Sequence, residues 1–284
     1  MILVTGASGQ VGCAVIRALK RKGLDVRAFI HSTASEKKVR EAGAFEVFVG
    51  DMNCESDLAH AFLGVEAVYF ICPAADPCED TIGQKMIQAA KARGDIYFVY
   101  HSVLHSVLQD MPHHKKKLHV EQMLVDSGLK YAITQPAVFM QMLLPAVKSV
   151  CSGGPLIQKF YLTNKTRMNL LHLDDLGEAV GEIFSSRKYE NGTFELCGKE
   201  NLSLEDLEAA FSQAIGKAVT SAYIPDEVFL SQVGTASATY KAQTLLAMFR
   251  HYNSHSFCGN SQVLTQILGR EPHTLGEFII ENMK

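Results

Sequence analysis

The sequence predicts an α/β fold in which a doubly wound parallel sheet is followed by a smaller C-terminal lobe of helices and strands. Short strand-like runs alternate with helical stretches over roughly the first 135 residues, a glycine-rich loop joins the first strand to the first helix, and the rhythm changes after Pro136. At 284 residues, the chain is long enough for one large and one smaller domain. We place the larger domain at residues 1–150 and the smaller at 151–284, with some elements of the second part returning to the first.

Composition excludes several classes of function. A net charge of −3 gives no electrostatic reason to expect binding to nucleic acid or to a membrane surface. No signal peptide or transmembrane helix is predicted, so we expect a cytoplasmic protein, with the nucleus as the alternative. Cysteines occur without a C-x-x-C pair, which favours reduced thiols. His251 and His255 have the i, i+4 spacing of metal ligands, but no third ligand is suggested and no metal site is predicted.

The strand candidates of the first part are short and rich in β-branched and aromatic residues, as buried parallel strands are. Glycines end the helical stretches between them, the first at Gly23. Because such crossovers are right-handed, we expect the sheet order 3-2-1-4-5-6. The candidates are Ile2–Thr5, Asp25–Ile30, Glu46–Gly50, Ala67–Cys72, Ile96–Tyr100 and Tyr131–Thr134.

The second part of the chain has a different pattern. We predict strands at Met168–His172 and Thr193–Cys197, with a helix from Asp174 to Ser186 between them. Ser203, with Asp206 three residues later, is typical of a helix N-terminal cap. Folds of this layout place the substrate pocket between the carboxyl edge of the sheet and the added lobe.

The loop between the first strand and the first helix has the spacing G-x-x-G-x-x-G. The first glycine permits a sharp turn, the second lets the backbone approach a pyrophosphate, and the third allows the helix to pack closely. A tight turn without a ligand is the alternative. The position between strand and helix favours a Rossmann-type dinucleotide site whose predicted contacts are Gly6, Ser8, Gly9, Gln10, Val11 and Gly12.

The end of the second strand indicates which dinucleotide binds. Sites for NAD carry a carboxylate there, which accepts hydrogen bonds from the ribose hydroxyls. This chain has His31 and Ser32 instead, with Lys37 nearby, and these side chains suit the 2′-phosphate of NADP(H). Asp51 and Met52 follow the third strand, where Asp51 either caps the next turn or approaches the adenine.

Taken together, these residues resemble the NmrA-like branch of the atypical short-chain dehydrogenases/reductases. The resemblance adds Cys72 and Pro73 as the turn beside the nicotinamide, and Pro136 in an "RP-x-x-F-M" segment in which Gln135 replaces the arginine. The family includes NADPH-dependent quinone and dye reductases, ether and isoflavone-type reductases, and catalytically silent NADP(H) sensors. The matching segments are Val4–Gly12, Gly50–Met52 with Asp57–Leu58 following, Val68–Pro73, Gln135–Met140, His172–Leu176 and Gly192–Leu196.

The catalytic residues implied by the resemblance depart from the usual Tyr-x-x-x-Lys pattern. Aligned on the family's helix, Lys117 takes the lysine position and His113 the tyrosine position. Helical spacing places both on one face with Val120 and Leu124, which indicates a buried face. The alternatives are an i, i+4 ion pair between Lys117 and Glu121, and a loop histidine without a catalytic role.

Two further features bear on function. Ser102 ends the fifth strand, where a hydroxyl that polarises a carbonyl would lie. The segment Phe139–Leu144 is either core or the lining of a pocket for a flat apolar substrate. We therefore expect an NADPH-dependent reductase of a small aromatic or conjugated molecule, such as a quinone, enone or imine. The alternatives are a non-catalytic NADP(H) sensor with a protein partner, and an isomerase or cyclase.

Overall fold

The computed structural model describes residues 1–157, 165–222, 225–232 and 234–283. The strands are β1 Ile2–Val4, β2 Val26–Ile30, β3 Glu46–Val49, β4 Ala67–Phe70, β5 Tyr97–His101, β6 Lys130–Pro136, β7 Val138–Phe139, β8 Leu156–Ile157, β9 Met168–Leu171, β10 Gly192–Leu196, β11 Asn201–Leu202 and β12 Ser221–Ala222. The α-helices are α1 Gln10–Arg21, α2 Glu36–Ala42, α3 Glu55–Ala61, α4 Glu79–Arg93, α5 Pro112–Val125, α6 Leu144–Cys151, α7 Leu173–Ser185, α8 Leu204–Ile215, α9 Asp226–Gln232, α10 Tyr240–Ser254, α11 Gln262–Leu268 and α12 Leu275–Asn282.

The main sheet has seven strands in the order β10-β6-β5-β4-β1-β2-β3. The pairs from β3 to β6 are parallel, which confirms the predicted fold class and the order 3-2-1-4-5-6. Successive strands are added on one side of β1 from β1 to β3 and on its other side from β4 onward, so β1 lies between β2 and β4. Ligands of doubly wound sheets bind at the carboxyl ends of the strands beside such a point.

Aromatic side chains fill the layer between the sheet and the helices on one face. Phe70, Phe98 and Tyr100 are fully buried in one cluster that also contains Met86 of α4 and Val120 of α5. Burial of each such side chain contributes roughly 1.5–3 kcal/mol. On the opposite face, α1 packs against α7. The predicted helix and strand after residue 172 therefore return to the main sheet as α7 and β10.

Contacts divide the chain into two compact units, each built from more than one segment of the chain. The first unit comprises Met1–Leu108, His113–Pro136 and Leu173–Glu195, and the second comprises Gln109–Pro112, Ala137–His172 and Leu196–Lys284. The division into a domain of residues 1–150 and a smaller lobe of residues 151–284 stays a prediction.

The second unit contains two small sheets, ordered β11-β9-β7 and β12-β8. Asn169 of β9 holds the chain after β10: its Oδ1 accepts from Gly198 N at 2.7 Å, and its Nδ2 donates to Gly198 O at 3.0 Å. The predicted cap of α8 is present as a capping box between Ser203 and Asp206. Among the described residues, no helix is long and apolar enough to cross a membrane.

Candidate functional site

Thr5 joins the carboxyl ends of the two central strands. Its Oγ1 donates to Ile71 O at 2.9 Å and accepts from Ile71 N at 2.8 Å. The next residue, Gly6, has a φ of +55° and turns the chain away from β1. A Cβ at this position would lie 3.0 Å from the side chain of Ile71, so a side chain would be both strained and crowded.

The start of α1 leaves no room for a side chain at Gly12 and offers N–H groups without a helical acceptor. A Cβ on Gly12 would lie 2.4 Å from Gly6 O, so the first helical turn packs directly on the loop backbone. The capping residue Gly9 supplies no side-chain acceptor, and the first turn has no acidic residue. The helical hydrogen bonds begin with Cys13 N donating to Gly9 O, so the preceding N–H groups have no acceptor within the helix.

This loop fits an anionic group such as a pyrophosphate. The positive end of the α1 dipole lies at the free N–H groups, and no carboxylate of the first turn competes for them. Gly9 and Gln10 are exposed, while Ser8 and Val11 are half-buried, so the loop is accessible from solvent. All six residues predicted for the pyrophosphate therefore lie together at the carboxyl end of β1.

The residues after β2 carry no carboxylate as far as the short helical turn at Thr33–Ser35. Ser32 caps this turn, with its Oγ accepting from Ala34 N at 3.3 Å. His31 and Ser32 are exposed. Lys37 is also exposed, and its ammonium lies 3.8 Å from the Glu41 carboxylate. The structure thus places three polar or basic side chains on this segment without the acidic residue typical of NAD sites.

Asp51 lies beyond the end of β3 and shapes the turn that follows. Its Oδ1 accepts from Asn53 N at 2.8 Å and from Asn53 Nδ2 at 3.1 Å. These hydrogen bonds lower the pKa of Asp51, and the charges of His31 and Lys85 lower it further. The predicted capping role is therefore present, while contact with an adenine stays a prediction. Met52 is half-buried and packs against the core.

The predicted nicotinamide-side residues come from the ends of β4 and β6. Cys72 is buried, and burial together with the Glu79 carboxylate raises the pKa of its thiol, so Cys72 stays protonated. Pro73 is exposed. Pro136 is buried, and its carbonyl oxygen accepts from Leu104 N at 2.9 Å.

Lys117 lies on α5 and forms a buried ion pair. Its Nζ donates to Glu79 Oε1 at 2.6 Å and to His101 O at 3.3 Å, and it lies 5.5 Å from the centre of the Tyr100 ring. Glu79 is only 1% exposed and also accepts from the Tyr100 hydroxyl at 2.9 Å. The alternative of an i, i+4 pair between Lys117 and Glu121 is wrong, because Lys117 reaches across to α4 instead.

Glu121 has its own set of partners, all of them neutral. The Ser102 hydroxyl donates to Oε1, the Ser106 hydroxyl donates to Oε2 at 3.0 Å, and Gln135 Nε2 donates to Oε1 at 2.8 Å. Gln135 is the residue that replaces the family's arginine, so a neutral amide meets the carboxylate. The proton of Ser102 is engaged by Glu121, and polarisation of a substrate carbonyl by Ser102 stays a prediction.

His113 lies one turn before Lys117 on α5. Its Nδ1 is buried and has no hydrogen-bond partner, and its ring lies 4.4 Å from that of His114 in an edge-to-face arrangement. Burial lowers the pKa of His113 to about 2, with the charges of His114 and Lys117 acting in the same direction. His113 is therefore neutral near pH 7, and a neutral imidazole is a poor proton donor.

Sequence reasoning missed Glu79 and Glu121, the two buried carboxylates of this region. Glu79 follows the turns after β4, and nothing in the neighbouring sequence predicts its burial. Gln135 stands where the family has an arginine. This difference was the sequence signal that the side chain facing it, Glu121, has an unusual partner. No group of three His, Cys, Asp or Glu side chains suited to a metal occurs in the described part of the chain.

The sequence pattern that defines the NmrA-like family matches residues 1–279. The chain belongs to the NmrA-like family. The NmrA-like chain is 24% identical to the NAD(P)H azoreductase of Xenophilus azovorans over 281 residues, which cover 98% of this chain and 96% of the relative.

Solved structures of similar fold include reductases in complex with a dinucleotide. The NADPH-dependent quinone oxidoreductase of Escherichia coli in complex with NADPH superposes with a TM-score of 0.83 at 23% identity, covering 100% of both chains. The triphenylmethane reductase of Citrobacter sp. in complex with NADP(H) gives 0.81 at 20% identity, also covering 100% of both chains. The NmrA-like chain therefore shares its fold with proteins that bind NADP(H).

Proposed function

We propose that this protein is an NADPH-dependent reductase of a small aromatic or conjugated molecule. The observation that carries the proposal is the loop from Gly6 to Gly12, which has no room for a Cβ at either of these two glycines and presents N–H groups without a helical acceptor at the carboxyl edge of the sheet. The azo, quinone and triphenylmethane reductases of similar sequence or fold support the reaction class. Quinones, enones, imines and azo dyes are the candidate acceptors.

The residues present fit the dinucleotide. The first turn of α1 would hold the pyrophosphate, and His31, Ser32 and Lys37 would meet the 2′-phosphate. When bound, the reduced nicotinamide supplies a hydride. The ammonium of Lys117 would contribute positive charge near the carboxyl end of β5, where the ribose and the developing oxyanion of a substrate need it.

The states of His113 and Ser102 limit which group would donate a proton to the reduced substrate. His113 is neutral near pH 7, and the Ser102 hydroxyl is held by Glu121. Lys117 or a water molecule would then neutralise a developing oxyanion. This route suits quinones, because a hydroquinone anion is a stable product that water can protonate after release.

A non-catalytic NADP(H) sensor is the second candidate function. The observation that favours it is that Lys117 and Ser102, the candidate catalytic side chains, are both engaged by carboxylates within the fold. In a sensor these contacts would be structural, and the dinucleotide would change how a protein partner binds.

Consumption of NADPH in the presence of an acceptor distinguishes a reductase from a non-catalytic sensor. Purified protein is mixed with NADPH and a panel of quinones, enones, imines, azo dyes and aldehydes, and NADPH consumption is followed by absorbance. A reductase oxidises NADPH with at least one conjugated acceptor. A protein that binds NADPH but reduces no acceptor is a sensor.

The role of Lys117 in turnover needs a double variant. Lys117→Ala alone would leave Glu79 buried without its cation, which typically costs about 3–5 kcal/mol of stability. Lys117→Met with Glu79→Gln removes both charges together, and Lys116→Met with Asp80→Asn is the matched control, because that pair joins the same helices at 2.7 Å. We expect the first double variant to lower kcat/KM at least tenfold and the control to change it little. Equal effects would exclude a special role for Lys117.

A further inference from the structure

We propose that Glu79 is a positioning residue that keeps Lys117 charged and fixed at the carboxyl end of β5. The inference deepens the proposed function and rests on it, because it takes Lys117 to be the cation that the bound dinucleotide meets. Glu79 itself need not touch the cofactor or the substrate.

The carboxylate of Glu79 holds the side chain of Lys117 in place. Glu79 is the first residue of α4, and its carboxylate is directed inward, where Oε1 accepts from both Lys117 and Tyr100. Lys117 comes from α5 and Tyr100 from β5, so one oxygen ties three elements together. The side chain of Lys117 is 14% exposed, and that of Glu79 is 1% exposed. A lysine side chain otherwise has many rotamers, and this contact selects one of them.

The positive charge of Lys117 also depends on its neighbours. A buried ammonium loses its proton easily unless an opposite charge stabilises it. The titratable neighbours of Lys117 on β5 and α5 are His101 and His113, and burial lowers the pKa of His101 to about 3 and that of His113 to about 2. Both rings are therefore uncharged near pH 7.

The remaining titratable neighbours are uncharged or engaged elsewhere. Burial raises the pKa of Cys72, and burial also raises the pKa of Tyr100, so both side chains stay protonated. Glu121, one turn along α5, gives its carboxylate to Ser102, Ser106 and Gln135. Within the described residues, Glu79 is thus the carboxylate that stabilises the ammonium of Lys117 directly.

A neighbouring ion pair provides a control within the same helices. Lys116 donates to Asp80 Oδ2 at 2.7 Å, but those side chains are 29% and 27% exposed. Water stabilises a lysine in that setting without help from a carboxylate. Loss of Asp80 therefore removes one charge and the contacts of Asp80 with Lys116 and His119 of α5 without burying an unpaired ammonium.

The test is the affinity for NADPH as a function of pH, measured by titration calorimetry on the intact protein from about pH 7 to about pH 10, the upper end lying near the ordinary pKa of lysine. In wild type and Asp80→Asn, we expect the affinity to hold until the upper end of this range. In Glu79→Gln, Lys117 loses its proton earlier, and the affinity should fall about tenfold between about pH 7 and about pH 9. Glutamine keeps the shape of the side chain and still accepts from Tyr100.

Two further variants distinguish charge from packing. Glu79→Asp keeps the charge, so its affinity should follow the pH profile of wild type even if it is weaker throughout. Lys117→Arg combined with Glu79→Gln should be insensitive to pH, because arginine stays protonated. A Glu79→Gln profile parallel to that of wild type, or a Glu79→Asp profile like that of Glu79→Gln, would overturn the inference. Absence of NADPH binding in wild type would instead refute the proposed function.

Discussion

At the scale of single residues, the carboxylates around the candidate site differ in what stabilises them. Glu79 meets an ammonium, Glu121 meets hydroxyls and an amide, and Asp51 meets the backbone and side chain of Asn53. No carboxylate follows β2, where Ser32 caps a turn instead. We therefore expect specificity for a dinucleotide to depend on where negative charge is absent as well as on where it is present.

Ser32 offers a direct test of cofactor preference. Ser32→Asp should weaken NADPH binding about tenfold or more while leaving NADH binding nearly unchanged, because a carboxylate would face the 2′-phosphate. Aspartate is itself a good cap, so the turn at Thr33–Ser35 should persist. Ser32→Asn keeps the cap and the size without the charge, and it should retain the preference for NADPH. Similar behaviour of the two variants in equilibrium titrations would place the 2′-phosphate elsewhere.

His113 makes stability depend on pH. Its pKa is about 2 in the folded protein and about 6.5 in the unfolded chain, so the unfolded chain binds more protons between these values. The stabilisation is therefore complete above about pH 6.5 and is lost on acidification, at up to about 1.4 kcal/mol per pH unit. His101, with a pKa of about 3, acts in the same direction.

Urea denaturation at several pH values checks this dependence. In His113→Phe, the free energy of unfolding should fall less steeply between about pH 6.5 and about pH 5 than in wild type. His60→Phe is the control, because His60 is exposed on α3. An unchanged slope in His113→Phe would show that the imidazole is not held neutral by the fold.

At the scale of elements, the unit of function is the strand, loop and helix formed by β1 and α1. The helix can start so close to the strand because its first turn lacks side chains where it meets the loop. The same closeness leaves the N–H groups of that turn open to solvent. The proposed binding of an anion would thus depend on the same glycines as the packing of the helix.

Gly12→Ala tests whether close packing of α1 on the loop is needed for NADPH binding. The new Cβ would lie 2.4 Å from Gly6 O, a backbone atom, so the helix must shift away from the loop. We expect a loss of about 1–3 kcal/mol in stability and at least tenfold weaker NADPH binding. A Cβ on Gly276 of α12 meets no atom within 4 Å, so Gly276→Ala should be neutral or stabilising by up to about 1 kcal/mol. Equal effects of the two substitutions on NADPH binding would contradict the loop model.

At the scale of the whole molecule, the sequence predicts the sheet better than the site. Each strand of the first 135 residues is marked by its own composition, and the right-handed crossover rule then sets the order. The return of α7 and β10 to the main sheet depends on pairing between β6 and a strand far along the chain, which local patterns do not encode. Glu79 was missed for the same reason, since its burial follows from the packing of α4, α5 and β5 together.

We expect the glycine loop after β1 to hold the pyrophosphate of a dinucleotide and the segment after β2 to favour NADPH over NADH. Titration calorimetry of wild-type protein with each dinucleotide tests it most directly. We expect one site per chain, with NADPH bound about tenfold or more tightly than NADH, which is a difference of at least about 1.4 kcal/mol in binding free energy. Equal or tighter binding of NADH, or no binding of either dinucleotide, would contradict it.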